Sequence, residues 1–338
     1  MLTLRWSLPR TLRIQHSSRP KWTVRNTLPW FVLCFCFIVA DPPAQVSVSG
    51  DGMVHQLVNG LNRHRDRDTI FERMPLCIIP CGTGNGMAAS LGISHKHIDE
   101  VVSCISGRSI SPVDCITVTT SGVDAPKEIL SFLSVTWGMV ADHDRLTEVE
   151  IRWMGPMLAM ALAPVSVVLH RRMYDGKIAF VPHAGKPVPS VANYPGKKLR
   201  IREDGWVEVD GPFHGLICSS VPRLATDVLI APRARVDDAL IHVIIFYAPL
   251  SRFDYARIML GFDSGEHVKM SGVDIFEATQ VDVSPSPGGE EFISVDGELI
   301  PSQNLKLAVN PSLLRFFVTP KAATTSSTCV KTSNSPPV

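Results

Sequence analysis

The sequence is short of net charge. Its Lys and Arg number 33 against 32 Asp and Glu, a formal balance of +1 over 338 residues, so no basic field exists to gather nucleic acid. Cysteine is sparse too, with eight residues in the whole chain. Cys77, Cys81, Cys104, Cys115 and Cys218 stand in or beside apolar runs, where a reduced, buried thiol is expected. Cys34 and Cys36 are too close together and too isolated for a disulfide framework or a zinc site. A reducing, cytoplasmic compartment fits this usage. The apolar run Leu28 to Ala40 falls short of the roughly 17 to 25 residues that a spanning helix needs. Disorder is excluded from the other side, because 45% of the residues are hydrophobic and the mean hydropathy is +0.14.

Acidic residues are absent before Asp41, where six basic residues lead into that apolar run. Its length suits a signal-peptide core. Three readings compete: a targeting or membrane-anchoring segment, a buried strand and loop, or foreign sequence from an alternative first exon.

What the chain does contain begins at Val46. Twice, a β-like apolar run meets a Gly-rich turn that opens a helical pattern: Val46-Ser47-Val48 before Ser49-Gly50-Asp51-Gly52, and Leu76-Cys77-Ile78-Ile79 before Gly82-Thr83-Gly84-Asn85. Such turns aim backbone N–H groups at an anion, and phosphate is the natural ligand. The first turn adds a carboxylate, Asp51, between glycines that allow close approach. The second carries no charge, only small residues, a hydroxyl and an amide. Each has a plainer reading: Asp51 as an Asx-turn former, Thr83 or Asn85 as a helix N-cap.

Apolar residues at Val54, Leu57, Val58 and Leu61, and again at Ile98, Val101, Val102 and Ile105, form helical stripes. Strand, helix, strand, helix predicts an α/β domain to about Ser111 with its ligand at the carboxyl ends of the strands. Past Pro112 the pattern turns to short strands, among them Cys115 to Thr119, Ile129 to Val135, Phe213 to Ser219, Leu240 to Tyr247, Val273 to Val283 and Leu305 to Val309. They are interrupted by an apolar helix from Trp153 to Leu169, a loop from His183 to Asp204 and a helix from Arg252 to Leu260. The fold class is therefore an α/β N-terminal domain followed by a mainly antiparallel β-sandwich. The domains are an unmatched segment 1–45, a nucleotide-binding domain 46–111, a lipid-binding domain 112–318 and a disordered tail 319–338.

The motifs resemble the sphingosine kinase branch of the diacylglycerol kinase family, whose fold is NAD-kinase-like. The resemblance runs through Ser49-Gly50-Asp51-Gly52 with His55 and Val58-Asn59-Gly60-Leu61, and through Pro80, Gly82-Thr83-Gly84-Asn85 and Ala88-Ala89-Ser90-Leu91. It continues at Trp137-Gly138, Ala141-Asp142-His143-Asp144, Arg152-Trp153-Met154-Gly155 and Asp296-Gly297-Glu298. It fails before Val46, where the family carries a first strand and a Gly- and Lys-rich phosphate loop. For that reason the foreign-sequence reading is preferred for the N-terminal segment. Loss of the first strand would bare a sheet edge unless Leu28 to Ala40 fill its place.

The resemblance implies a lipid kinase using ATP and Mg²⁺, with Asp51 as the base that accepts the lipid hydroxyl's proton. It assigns Ser49, Gly50, Gly52, Gln56, Gly82, Thr83, Gly84, Asn85, Arg152, Asp296, Gly297 and Glu298 to the nucleotide, with Asp296 as the metal ligand. Ser134, Met139, Asp142 and Asp144 fall to the substrate, a sphingosine-like long-chain base whose ammonium Asp144 would bind with Asp142 in support. Two departures bear on activity: Leu158 stands where a second family arginine belongs, and Gln56 replaces a usual Glu. Peripheral membrane contact and a homodimer are further expectations. The alternatives are a catalytically impaired lipid-binding protein, because the first phosphate loop is missing, and an NAD kinase, which has no use for Asp142 and Asp144.

Overall fold

The computed structural model describes residues 35–40, 43–93, 109–121, 127–151, 153, 156–184, 198–287 and 292–319. The helical stripe expected at Ile98 to Ile105, Arg152, and all but the first residue of the C-terminal tail lie outside them. The described residues belong to one compact unit.

The first part alternates strand and helix: β1 (Phe35–Ala40), β2 (Pro43–Ser49), α1 (Asp51–Asn62), α2 (Arg67–Arg73), β3 (Leu76–Pro80) and α3 (Gly86–Ser90). Then come β4 (Ile110–Thr120), β5 (Lys127–Ser131), β6 (Ser134–Gly138), α4 (Met139–Arg145), a π-helical turn (Leu146–Glu150) and α5 (Pro156–His170). The remainder is mostly sheet: β7 (Gly176–Pro182), β8 (Lys198–Ile201), β9 (Val207–Asp210), β10 (Phe213–Ser219), β11 (Arg223–Ala225), β12 (Val228–Leu229) and β13 (Ile241–Tyr247). It ends with α6 (Arg252–Leu260), β14 (Val273–Pro285), β15 (Phe292–Val295), β16 (Glu298–Pro301) and β17 (Leu305–Phe317).

Parallel pairing is confined, among the described residues, to β2 with β3 and β3 with β17. Every other ladder is antiparallel. The α/β fold followed by a β-sandwich is therefore the architecture, and β17 joins its halves. Its first half pairs with β14 and β4; past a bulge between Asn310 and Leu314 it continues along β4 and reaches β3. The expectation that this strand ends at Val309 is corrected, because the bulge lets it pass Asn310 and Pro311 without losing β4.

Other boundaries shift for physical reasons. The single strand expected over Ile129 to Val135 divides into β5 and β6, because the amides of Phe132, Leu133 and Ser134 turn to a carboxylate, that of Asp296. Part of the expected 183–204 loop is β8, paired with β9. Cys81 is exposed rather than buried, since it follows β3 into the turn, whereas Cys77, Cys115 and Cys218 are buried and free. At the N-terminal edge, β1 lies antiparallel to β2 from Phe35↔Val48 to Ala40↔Pro43. The edge left by a missing first parallel strand is therefore filled by part of the Leu28 to Ala40 run.

On α1 the expected stripe faces the core: Val54 and Val58 are fully buried, each contributing about 1.5–3 kcal/mol of transfer free energy. The same face also buries His55 and Asn59. Asn59 brackets Leu130 of β5, donating to its carbonyl at 2.9 Å and accepting its N–H at 2.9 Å. This pair fixes the helix that begins with Asp51 against the sheet.

Candidate active site

Ser49 and Pro80 end two neighbouring parallel strands in register, so both Gly-rich turns leave the sheet side by side. They cross at Gly50 and Gly82. A β-carbon on Gly82 would lie 2.4 Å from the Gly50 Cα, closer than side chains permit. The crossing delivers Asp51 to the second turn. Its Oδ2 accepts the Gly86 N–H at 2.7 Å and its Oδ1 the Met87 N–H at 3.2 Å. With its own backbone N–H also drawing on it, the carboxylate keeps acceptor capacity among its roughly four lone-pair directions.

Asn85, in the left-handed region at φ 52°, closes the second turn on itself. Its side chain accepts the Gly82 N–H at 2.9 Å and donates to the Gly82 carbonyl at 2.5 Å. The backbone amides of Thr83, Gly84 and Asn85 donate to no group among the described residues. Thr83 is exposed. Three consecutive amides without a partner among the described residues, with a hydroxyl beside them, are donors that an anion can use.

Burial pushes the Asp51 carboxyl above the ordinary aspartate value, outweighing the Gly86 and Met87 amides that pull it down; the charge of Asp296 adds to the rise. Asp296 belongs to the two-residue turn Asp296-Gly297 between β15 and β16, with φ of 53° and 90°. That is the mirror-image hairpin turn that Asp-Gly favours. Its Oδ1 accepts the Ser131 Oγ–H at 2.7 Å and the Leu133 and Ser134 amides at 3.0 Å each. Its Oδ2 takes the Phe132 amide at 3.2 Å and meets His55 Nδ1 at 2.9 Å. Five partners exceed the roughly four lone-pair directions of a carboxylate, so Asp296 does not fit as a metal ligand. It ties β5, β6 and α1 together. Glu298 leaves the same turn toward α1: its Oε1 is 3.6 Å from where a Gly52 β-carbon would stand, and it has no partner among the described residues.

The acid pair lies on α4. Asp142 is neutralised within the protein, accepting Arg172 Nη1 at 3.1 Å and the Tyr174 hydroxyl. Burial, and then the Asp142 charge, push the Tyr174 phenol far above its ordinary range. Among the described residues, Asp144 accepts the Ser294 Oγ–H at 2.7 Å, with His143 Nδ1 at 3.7 Å. Ser294 precedes Asp296 by two residues, roughly 7 Å along an extended chain. Asp296 in turn holds His55, one helical turn from Asp51. Thus Asp144 and Asp51 are linked through Ser294, Asp296 and His55. Met139 is buried among Val167, Phe246, Tyr255 and Ile258.

Residues 43–118 match the Diacylglycerol kinase catalytic domain, and residues 167–318 match the YegS C-terminal NAD kinase beta sandwich-like domain. The chain therefore carries a diacylglycerol kinase catalytic domain followed by a YegS-type C-terminal domain. Sphingosine kinase 1 of Rattus norvegicus is 27% identical over 288 residues, covering 79% of this chain and 73% of that protein. Sphingosine kinase 1 of Arabidopsis thaliana is 28% identical over 280 residues, covering 75% of this chain and 56% of its own length. A solved diacylglycerol kinase from Bacillus anthracis str. Sterne shares the fold, with a TM-score of 0.51 at 13% identity over 82% of this chain and 76% of that one. Another chain from the same source gives 0.56 at 16% identity. The matched catalytic domain and these relatives support a lipid kinase and imply ATP use.

Within this diacylglycerol kinase frame, Asp51, Gly82, Thr83, Gly84 and Asn85 come together, as do Gly52 and Glu298. Ser49 is buried and bonded to Ser47 Oγ at 2.6 Å and to the Gly50 carbonyl at 3.0 Å. Gln56 is exposed, on the side of α1 that Gly52 occupies one turn earlier. Ser134 is buried and contributes its backbone to Asp296. Nothing in the sequence marked the partners Ser294, Arg172 and Tyr174, which are ordinary residues until the fold assembles them. His55 and Asn59 were visible only as motif letters; their polarity on an otherwise apolar helix face was the available signal.

Proposed function

We propose that this protein transfers the γ-phosphoryl group of ATP to the primary hydroxyl of a sphingosine-like long-chain base. The observation that carries the reading is Asp51: an acid with burial-raised basicity and remaining acceptor capacity, beside three amides that have no partner among the described residues. In the step, the lipid oxygen forms a bond to the γ-phosphorus, the bond to the β,γ-bridging oxygen breaks, and ADP leaves. The hydroxyl proton passes to Asp51. The amides of Thr83, Gly84 and Asn85 and the Thr83 hydroxyl bind the phosphate oxygens. Arg152 would add a cation. Magnesium would be held by Glu298 together with the nucleotide's own oxygens, since one or two carboxylates suffice for that ion, and when bound it neutralises charge on the phosphates.

Substrate choice rests on Asp144. Asp142 already has its Arg172 and Tyr174 partners, whereas Asp144 retains capacity for an ammonium two carbons from the reacting hydroxyl. Ser134 and Met139 would border the same pocket. A diacylglycerol brings no cation and leaves that carboxylate unpaired.

Contact with a bilayer would run along α5. Leu158, Leu162, Val165 and Leu169 recur at helical spacing and are all exposed, and a substrate held in a membrane gives such a face a use. No helix among the described residues is long and apolar enough to cross a membrane.

The test is transfer from labelled ATP to sphingosine by wild type and Asp51→Asn, with diacylglycerol as the comparison acceptor. The variant should lose about 10²-fold or more of the rate; equal rates would remove Asp51 from the mechanism. A second reading, a lipid-binding protein without catalysis, is favoured by one observation. At the edge of β2, the antiparallel β1 stands where the family's first parallel strand and its phosphate loop are expected. Sphingosine uptake without any affinity for ATP would select it.

A further inference from the structure

A third piece of chain touches the amide cradle, and it comes from the β-rich half. The hairpin β11–β12 lies against the turn at Gly84 to Gly86. Asn85 pairs with Ala225 as an antiparallel bridge. The Thr226 N–H donates to the Gly84 carbonyl at 3.0 Å and the Thr226 Oγ1–H donates to the same oxygen at 3.1 Å. Ser90 Oγ donates to the Arg223 carbonyl and accepts the Arg223 N–H, both at 3.2 Å. Contact is so close that a methyl group on Gly86 would collide with the Leu224 carbonyl.

The consequence is directional. In a trans peptide the carbonyl and the following N–H point to opposite sides, so two donors holding the Gly84 carbonyl toward the hairpin turn the Asn85 N–H away from it. Gly84 lies between the two groups: from its β-carbon position, Asp51 Oδ2 is 3.7 Å away and the Leu224 oxygen 3.8 Å. The hairpin also reaches the opposite end of the site. Leu224 packs against the core that holds Met87 and Ala88, and against the core that holds Met139; Val228 joins the latter.

We propose that Thr226 is a positioning residue for the phosphoryl donor. Its two hydrogen bonds set the Gly84–Asn85 peptide so that the Asn85 amide faces the nucleotide, and Leu224 connects that brace to the core beside the lipid pocket. This inference rests on the phosphotransfer reading above. The experiment compares wild type, Thr226→Val and Thr226→Ser. Valine keeps the shape and the backbone N–H and removes only the hydroxyl. ATP binding is followed by calorimetry, with KM for ATP and for sphingosine and the melting temperature measured in parallel.

Thr226→Val should weaken ATP binding and raise its KM by about three- to tenfold, the effect of one lost hydrogen bond. The sphingosine KM and the melting temperature should hold, and Thr226→Ser should restore the ATP constants. Unchanged ATP constants in an active protein would overturn the inference while leaving the kinase reading intact. Parallel losses in both substrates together with a lower melting temperature would overturn it as well, by making the contact merely structural. Absence of ATP binding and of transfer in wild type would remove both.

Discussion

Asp51 carries opposing influences, and their balance makes a pH prediction. Burial raises its carboxyl, two amides lower it, and Asp296 raises it again, with burial the largest. A base must be ionised to work, so kcat/KM should fall on the acid side through a midpoint above about 3.9, the ordinary aspartate value. A pH–rate profile with its acid limb at or below that value would show that the amides win instead. For the fold the sign is opposite. A carboxyl raised in the folded state contributes stability that is full below its unfolded pKa and is lost as pH rises through its folded pKa. Ionising Asp51 for catalysis therefore weakens the unliganded fold. At this scale the sequence announced Asp51 by its flanking glycines, but not Ser294 or Arg172, because a lone Ser or Arg has no local signature.

The hairpin β15–β16 shows what a single element contributes. Asp-Gly between two apolar runs is a hairpin signal in sequence, and it forms the expected turn. The sequence did not disclose that the turn's carboxylate would collect the Ser131 hydroxyl, three amides and His55. Asp296→Ala would leave these buried donors without an acceptor. The expected cost is at least about 3 kcal/mol, measured by thermal or urea unfolding. A loss below about 1 kcal/mol would mean that water replaces the carboxylate and that the turn is no anchor. The strand β1 teaches a related point. A buried strand was one of three readings of the apolar run that holds it, and its antiparallel pairing to β2 is what only the fold supplies.

Across the whole molecule, the exposed apolar face of α5 and the acid pair of α4 follow one another closely in the chain and belong to the same β-rich half. If that face meets a bilayer, Val165→Glu with Leu169→Glu should weaken binding to phospholipid vesicles by about tenfold or more. Turnover of detergent-dispersed sphingosine should stay near wild type. Equal vesicle binding by the double variant would remove α5 as the membrane face. By itself the sequence determined the two halves, their α/β and β-sandwich character and the two glycine turns, because hydrophobic period and backbone permissiveness are local properties. Only the tertiary structure shows that Asp296 is filled by five protein partners, that Asp142 is paired with Arg172 and Tyr174, and that Thr226 donates to the Gly84 carbonyl. Those outcomes depend on which donors reach which carboxylates across more than a hundred residues of chain, as with His55 and Asp296 at a separation of 241, and no spacing along the chain encodes that distance.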